Sequence, residues 1–403
     1  MSRSRTVAWS LPQSYAVDVA THDVMTFANG LSAKLAARSR HVCVFLGAGA
    51  ARACGLPDVT GLQSAILEGL EEPDRSTFSE QLSERNLEQA LSRLRRIATL
   101  LSGSNDRVDG LTAEEAHTLD RKVCRLIIAA LDLSAADNAP MLRLAAWAAR
   151  ADYHLPLELF TVNYDLLIET ALEAIGVAYF DGFVGALQAR FRTDLVESSP
   201  TDAEPALPAF LVRLWKLHGS VNWAWQGGER SEVVRLGGPV PDGDPAAIYP
   251  SDAKYDESRR VPFVVLQDRL RRSLNHPETL MIVSGYSFGD AHLNELLFDA
   301  ARRRPRSEVI AFCFSTIPES LVDRALTTPN LQAVGADEAV LGGIRLGWEP
   351  AEHAPEDLWT GDAMRLGNFA SLAGFLARST PPQGELEARL GELLARAVPG
   401  AGE

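Results

Sequence analysis

Three polar residues that could act on a substrate follow apolar runs directly. Asn163 and Asp165 come after residues 157–162 (LELFTV), and His218 comes after residues 211–217 (LVRLWKL). An imidazole at a strand end, before a glycine, can exchange protons near neutral pH. The amide and the carboxylate could orient a polar substrate, but Asn163 could equally stabilise a turn and Asp165 could cap the following helix. These residues are therefore candidates for catalysis or substrate binding.

A turn of small residues lies near the start of the chain. Residues 47–58 (GAGAARACGLPD) follow the short apolar run 41–46 (HVCVFL) and lead into helical sequence. Small side chains let an anionic pyrophosphate approach backbone N–H groups and the N-terminus of a helix. The spacing is not G-x-G-x-x-G, so a tight strand-to-helix connection is the competing interpretation.

A Gly-x-Ser-x-Gly pattern occupies residues 285–289 (GYSFG), at another transition from strand to helix. In a serine hydrolase Ser287 would be the nucleophile, and Asp337 and His353 follow it in the order that such an enzyme needs. Asp337 lies in turn-like sequence, however, and His353 is flanked by prolines. The alternative is a second glycine and serine turn that contacts a ribose or a phosphate.

Five apolar runs alternate with helical or loop-like sequence, which predicts the elements that position these residues. We predict an α/β fold, Rossmann-like, with a mainly parallel sheet and helices on both faces. The carboxyl ends of parallel strands meet at one edge, so Asn163, His218 and the glycine turns should share a crevice. The five runs are residues 41–46, 157–162, 211–217, 279–284 and 308–314.

A large helical insertion is predicted after the first strand, at about residues 62–150. Within it, Thr112 and Glu115 have the spacing of a capping box before an apolar stripe at helical spacing. Residues 185–210 and 226–262 are rich in Pro, Gly, Asp and Ser, and we predict that they form loops.

The composition limits the class of protein. The chain has 403 residues, 46% of them hydrophobic, and a net charge of -14, which is typical of a soluble globular protein that repels nucleic acid. Its four cysteines are scattered without a C-x-x-C pair, so neither a zinc site nor a disulfide framework is expected. We see no signal peptide and no apolar run long enough for a membrane, so a cytoplasmic location is expected.

In their order along the chain, these segments resemble the sirtuin-like domain of bacterial antiviral-defence NAD hydrolases. Residues 47–49 with 55–58 (GLPD) are similar to the family's nucleotide loop, and residues 163–165 (NYD) are similar to its catalytic Asn-Tyr-Asp. Residues 216–220 (KLHGS) and 285–290 (GYSFGD) are similar to two further motifs of the family. The likeness spans about residues 40–375. Deacylating sirtuins carry four zinc-binding cysteines that this chain lacks, which disfavours a deacylase.

The resemblance implies an NAD⁺ glycohydrolase that uses NAD as its substrate, without a metal, and releases nicotinamide and ADP-ribose. It implies that Asn163 and His218 are catalytic and that Asp165 receives the nicotinamide amide. A non-catalytic NAD or ADP-ribose sensor and a serine hydrolase using Ser287 remain the alternatives. The residues expected to bind the dinucleotide are Gly47, Ala48, Gly49, Asp58, Asp165, Gly285, Ser287 and Asp290.

The resemblance also implies an organisation for the whole protein. Stand-alone chains of this type are homo-oligomers that work with a separate HerA-type ATPase and deplete NAD during phage infection. We expect an N-terminal arm and helix in residues 1–40, the catalytic domain in residues 41–375, and a C-terminal helical tail in residues 376–403.

Overall fold

A computed structural model gives the architecture. It describes residues 20–83, 85–199, 206–226, 232–241, 246–248, 261–351 and 353–378, with residues 390, 391, 393 and 394. The helices are α1 (Val24–Ala36), α2 (Ala48–Arg52), α3 (Val59–Gly69), α4 (Asp74–Leu82), α5 (Leu87–Leu100), α6 (Ala113–Ala130), α7 (Ala139–Arg150), α8 (Leu167–Ile175), α9 (Thr193–Glu197), α10 (Phe263–Leu274), α11 (Ala291–Arg303), α12 (Glu319–Thr327) and α13 (Phe369–Arg378). The strands are β1 (His41–Leu46), β2 (Glu158–Thr161), β3 (Tyr179–Phe180), β4 (Phe183–Val184), β5 (Gln188–Phe191), β6 (Val212–Lys216), β7 (Gly219–Gln226), β8 (Glu232–Leu236), β9 (Ala246–Ile248), β10 (Thr279–Ser284), β11 (Glu308–Phe312), β12 (Leu331–Val334), β13 (Glu338–Leu341), β14 (Ile344–Gly347), β15 (Trp359–Thr360) and β16 (Ala363–Met364).

The main sheet has nine strands in the order β14-β13-β12-β11-β10-β1-β2-β6-β3. From β12 to β3 every neighbouring pair is parallel, whereas β13 and β14 are antiparallel additions at one edge. All five apolar runs are strands of this sheet. The predicted mainly parallel, Rossmann-like α/β fold is therefore confirmed.

Helices cover both faces of the sheet. Along β1, Val42 and Val44 belong to one buried apolar cluster, while Cys43 and Phe45 belong to a second cluster. Such alternation is what a strand buried on both faces requires. Helices α7, α8 and α13 contribute to the first cluster, and α10, α11 and α12 contribute to the second. None of the helices in the described ranges combines the length and the apolar character needed to cross a membrane.

The predicted helical insertion consists of α3 to α7, between β1 and β2. Its capping box is present: the Glu115 amide donates to Thr112 Oγ1 at 3.2 Å, and the Thr112 amide donates to Glu115 Oε2 at 2.8 Å. The insertion packs on the body of the protein, because α7 lies against both α8 and α13. The expected domain limit at residue 375 falls inside α13, which continues to Arg378.

The prediction of loops at residues 185–210 and 226–262 was wrong in part. The elements β5, α9, β8 and β9 lie there, and β4, β5, β8, β7 and β9 form a second, five-stranded sheet. The long strand β7 organises this sheet because Trp223 is buried against Phe183 and Phe263. Pairing within the sheet built on β7 outweighs the local preference of the turn-forming residues for loop structure. Residues 249–260, within the second predicted loop, lie outside the described residues.

The amino edge of the main sheet holds a buried ionic network around Glu158, the first residue of β2. Its carboxylate is fully buried and lies 2.9 Å from His41 Nε2 and 2.6 Å from Arg269 Nη2. It also accepts hydrogen bonds from Trp215 Nε1 at 2.6 Å and Ser273 Oγ at 2.9 Å. Burial alone would raise the pKa of Glu158, but Arg269 and His41 hold this pKa well below its ordinary value. The carboxylate is therefore ionised and fixes the ends of the central strands.

Candidate functional site

The carboxyl edge of the sheet brings the predicted site residues together. Strands β10, β1, β2 and β6 are consecutive neighbours and parallel, and they lead into Gly285, Gly47, Asn163 and His218 respectively. The convergence expected from the sequence is therefore present. Its centre is the pair β1 and β2, which carries the first glycine turn and the Asn163 segment.

The Asn163 side chain is tied to the first glycine turn. Its Nδ2 donates a hydrogen bond to the Gly47 carbonyl at 3.0 Å. Its backbone amide donates to Thr161 Oγ1 at 3.0 Å, and the same hydroxyl donates to the Leu46 carbonyl at 3.0 Å. Asn163 is buried, and hydrogen bonds hold both its side chain and its backbone. It performs the predicted turn-stabilising role while remaining at the edge where a ligand would lie.

The glycine turns after β1 and β10 pack directly against each other. The Gly47 amide donates to the Ser284 carbonyl at 3.0 Å, and the Gly49 amide donates to the Gly285 carbonyl at 2.8 Å. A Cβ on Gly47 would lie 2.5 Å from the Gly285 oxygen, and a Cβ on Gly285 would overlap the Ala50 nitrogen. Glycine is needed here because the two backbones touch. The amides of Gly47 and Gly49 thus bind within the protein, and their contact with a pyrophosphate, like that of Ala48, stays a prediction.

Asp165 and Lys216 stabilise the segment that follows β2. Asp165 is buried, and its Oδ1 accepts from the Leu167 amide at 3.0 Å at the start of α8, which supports the helix-capping interpretation. The Lys216 ammonium donates to the Asp165 carbonyl and lies 2.9 Å from Glu169 Oε1. Burial raises the pKa of Asp165, and the nearby Lys216 partly offsets this effect. The expected contact between Asp165 and a nicotinamide amide stays a prediction.

His218 lies beside an acidic residue. Its Nε2 is 3.5 Å from Asp290 Oδ2, and the exposed fractions of the two side chains are 6% and 22%. The other oxygen of Asp290 accepts from the backbone amides of His292 at 2.9 Å and Leu293 at 3.1 Å, which caps α11. Burial would raise the pKa of Asp290, but His218 and the two amides lower it below its ordinary value. An ionised carboxylate therefore faces the imidazole.

Comparison with known protein families identifies the same region. Residues 157–333 match the family described as SIR2-like domain. This stretch of the chain is similar to SIR2-like domains. The matched range contains Asn163, His218 and the 285–290 turn, whereas β1 and its glycine turn precede the range. No curated protein matches the sequence.

Ser287 is exposed on the turn that follows β10. The hydrolase alternative needed Asp337, which lies between β12 and β13, and His353, which lies beyond β14. Within the described parts of the chain, no hydrogen bond or ion pair joins Ser287 to either residue, and the Asp337 carbonyl accepts from the Trp348 amide at 3.1 Å. The arrangement supports no triad of these residues. The predicted contact of Ser287 with a nucleotide is untested.

Asp58, the last residue of the segment that resembles a nucleotide loop, begins α3. Its Oδ1 accepts from the Gly61 amide at 2.9 Å, and its Oδ2 lies 2.5 Å from Arg52 Nη1. These contacts connect α2 to α3 and so hold the loop between them. They are local, and a contact of Asp58 with NAD stays a prediction.

Sequence reasoning missed residues that hold this candidate site in place. Thr161 supports Asn163 from two positions before it, and a polar residue at the end of an apolar strand is a signal that could have revealed it. Tyr286 Oη donates to Asn294 Oδ1 at 3.0 Å, and Asn294 Nδ2 donates to the Phe288 carbonyl at 2.7 Å. No sequence pattern indicates that Asn294, inside α11, closes the preceding turn.

The cysteines play no visible part in this site. All four are free and buried. Across the described residues, no group of three or more His, Cys, Asp or Glu side chains is arranged to hold a metal ion.

Proposed function

We propose that this chain is an NAD⁺ glycohydrolase that cleaves the bond between nicotinamide and ribose. The observation that carries the proposal is the placement of Asn163 and His218 after adjacent parallel strands, with Asn163 bonded to the Gly47 turn. SIR2-like domains bind NAD, and the carboxyl edge of an open α/β sheet is where such a ligand lies. A buried amide, an imidazole and closely packed glycine turns fit a dinucleotide extended along this edge.

The reaction breaks the glycosidic bond, and the electron pair stays with the nicotinamide nitrogen. The ribose becomes oxocarbenium-like and forms a bond from its anomeric carbon to a water oxygen. In our proposal Asn163 fixes the ribose and orients this water, while His218 takes the proton from the water or from a ribose hydroxyl. Asp165 would receive the nicotinamide carboxamide. The Gly47 to Gly49 turn would face the pyrophosphate, and Ser287 would face the adenosine half.

The first test replaces His218 with alanine. Loss of a positioned proton acceptor typically lowers a rate by about 10²–10⁴-fold, so His218→Ala should nearly abolish nicotinamide release from NAD. Release is followed by chromatography, with His117→Ala, an exposed histidine on α6, as the control that retains activity. Release at the parental rate by His218→Ala would refute the role of His218.

The second test separates chemistry from binding at Asn163. Asn163→Ala should abolish hydrolysis and weaken NAD binding by no more than about 10-fold, because the variant loses one hydrogen bond to the Gly47 turn. Binding is measured by calorimetry with NAD itself, which the variant does not consume. If binding and hydrolysis vanish together, Asn163 serves binding or structure alone. A parental protein that binds NAD but never releases nicotinamide, with or without its partner, would instead be a sensor.

We further propose the biological setting that the resemblance implies. In it, the chain forms a homo-oligomer, works in the cytoplasm with a separate HerA-type ATPase, and depletes NAD during phage infection. Co-expression with a HerA-type ATPase, followed by measurement of particle mass and of NAD before and during phage infection, tests the oligomer, the partner and the depletion of NAD. A monomer that neither binds the ATPase nor lowers NAD would contradict this setting.

A further inference from the structure

We propose that Asp290 is a positioning residue for His218, and that the 285–290 turn holds the Asp290 carboxylate beside the imidazole. The inference rests on the proposed function and assigns Asp290 to the reaction rather than to binding of the dinucleotide. It follows from the geometry of three elements: the β6 to β7 connection that carries His218, the turn after β10, and the first turn of α11.

Both oxygens of Asp290 are engaged. Oδ1 accepts from two backbone amides at the start of α11, and Oδ2 lies 3.5 Å from His218 Nε2. The helix cap fixes the orientation of the carboxylate, since rotation toward solvent would break both amide contacts. Its position at a helix N-terminus also favours the ionised form. The imidazole therefore meets a charge that is held in one place.

The turn that precedes Asp290 is itself locked. Tyr286 binds Asn294 of α11, and Asn294 in turn binds the Phe288 carbonyl. The Tyr286 ring also packs on Phe45 of β1, with ring centroids 4.9 Å apart. These contacts join the turn to the sheet on one side and to α11 on the other, so that Asp290 has little freedom to move away from His218.

Among the described residues, two other charged groups near this edge of the sheet, Lys216 and Asp165, bind other partners. Lys216, two residues before His218, pairs with Glu169 and donates to the Asp165 carbonyl. Asp165 is buried at the start of α8, where its carboxylate binds a backbone amide. Asp290 thus provides the close carboxylate contact of His218 from the α11 side, and the low exposure of the pair strengthens their attraction relative to a surface pair.

The geometry also assigns the two ring nitrogens. Nε2 faces Asp290 and would carry the proton that is donated to the carboxylate. In our proposal Nδ1 accepts the proton released during hydrolysis. After that transfer, the imidazolium faces an ionised carboxylate and is stabilised by it. The arrangement parallels the role of the acid in a hydrolytic triad, which holds the tautomer and stabilises the charged imidazole.

The experiment compares Asp290→Asn and Asp290→Ser with the parental protein. Asn and Ser both cap helices well, so each variant keeps the start of α11 while it removes the negative charge. Asp23→Asn is the matched control, because Asp23 caps α1 in the same way, through the Thr26 amide, and has no part in the site. The His218 imidazole is followed by NMR with labelled histidine, and its signal is assigned by its loss in His218→Ala.

We expect the titration midpoint of His218 to fall in both Asp290 variants and to stay unchanged in Asp23→Asn. The acidic limb of the rate profile should move to lower pH by the same amount, because a base that loses its partner charge is deprotonated at lower pH. The kcat should fall by at least about 10-fold. In the parental protein the nitrogen shifts should show the neutral tautomer with its proton on Nε2.

Equal midpoints in the parental protein and in Asp290→Asn would overturn the proposal, even if kcat fell, since Asp290 would then act only as a helix cap. A proton on Nδ1 in the neutral parental protein would overturn it without any variant. The titration needs no turnover. If the parental protein releases no nicotinamide, the proposed function fails, while the link between Asp290 and His218 is still decided by the NMR data.

Discussion

At the scale of single residues, Gly285 lets two turns pack against each other because it has no side chain. Its φ is +65°, and the space that a Cβ would fill is occupied by backbone atoms of Gly49 and Ala50. The left-handed conformation disfavours a side chain, and the contact excludes one on steric grounds. The two effects can be separated because another glycine has the same conformation in open space.

Gly342, between β13 and β14, is that glycine: its φ is +59°, and the position that a Cβ would take is open, with nothing beyond the adjoining residues within 4 Å. Gly342→Ala should lower the free energy of unfolding by about 1–2 kcal/mol, the backbone cost alone. Gly285→Ala should cost more and should also lose nicotinamide release, because the Gly47 turn must shift away. Denaturant unfolding and the nicotinamide assay measure both effects. Equal losses of stability with unchanged activity would show that the contact between the turns is unimportant.

Individual site residues were only partly predictable. The positions of Asn163 and His218 at the carboxyl edge could be predicted because a polar residue directly after an apolar run marks a strand end. The pairing of His218 with Asp290 could not, since 72 positions separate them and nothing local to either indicates which helix start meets which strand. The same holds for Asn163 and Gly47, whose contact depends on β1 and β2 being neighbours.

At the scale of elements, hydrophobic runs predicted the central strands because those strands are buried on both faces. The second sheet was missed because β5 and β8 are short and only partly buried, so that pairing within the sheet built on β7 decides their conformation. The buried network at Glu158 was missed for a different reason. A charged residue at the start of a strand is ordinary in sequence, and only the packing of α10 against the sheet reveals its partners.

Glu158→Gln should destabilise the protein by about 3–5 kcal/mol near neutral pH, because Arg269 stays buried without its counter-charge. The folded-state pKa of Glu158 is depressed, so the contribution of the carboxylate is complete above the unfolded pKa of about 4.3. As the pH falls below that value the contribution is lost, and the gap between parental and variant stability should narrow. Urea unfolding at several pH values measures this gap.

Glu338→Gln is the matched control for Glu158→Gln. Glu338 also pairs with an arginine, Arg345, and its pKa is also lowered, but this pair lies at the surface. Water screens such pairs, so the variant should change stability far less than Glu158→Gln does. Similar losses in the two variants would mean that burial does not set the strength of the Glu158 network.

At the scale of the whole molecule, a ligand along the carboxyl edge would span the turns after four adjacent strands of the main sheet. Ligand binding to the native state alone should then stabilise the entire chain. In the inactive His218→Ala background, NAD at 100 times its dissociation constant should add about 2.7 kcal/mol to the free energy of unfolding. Thermal unfolding with and without NAD measures the change. Adding Gly285→Ala should abolish this stabilisation by NAD, whereas adding Gly342→Ala should preserve it. If NAD stabilises both double variants equally, the ligand binds elsewhere.

The turn after β10 contacts two other parts of the candidate site. Its backbone packs against the first glycine turn, and its last residue, Asp290, faces His218. Random mutagenesis followed by selection of inactive but well-expressed clones should therefore return a dense run of changes between Ser284 and Asn294. Most of them would alter side chains that hold the turn in place, such as Tyr286 and Asn294. Inactivating substitutions would thus identify the residues that hold the catalytic groups in place as clearly as they identify the catalytic groups themselves.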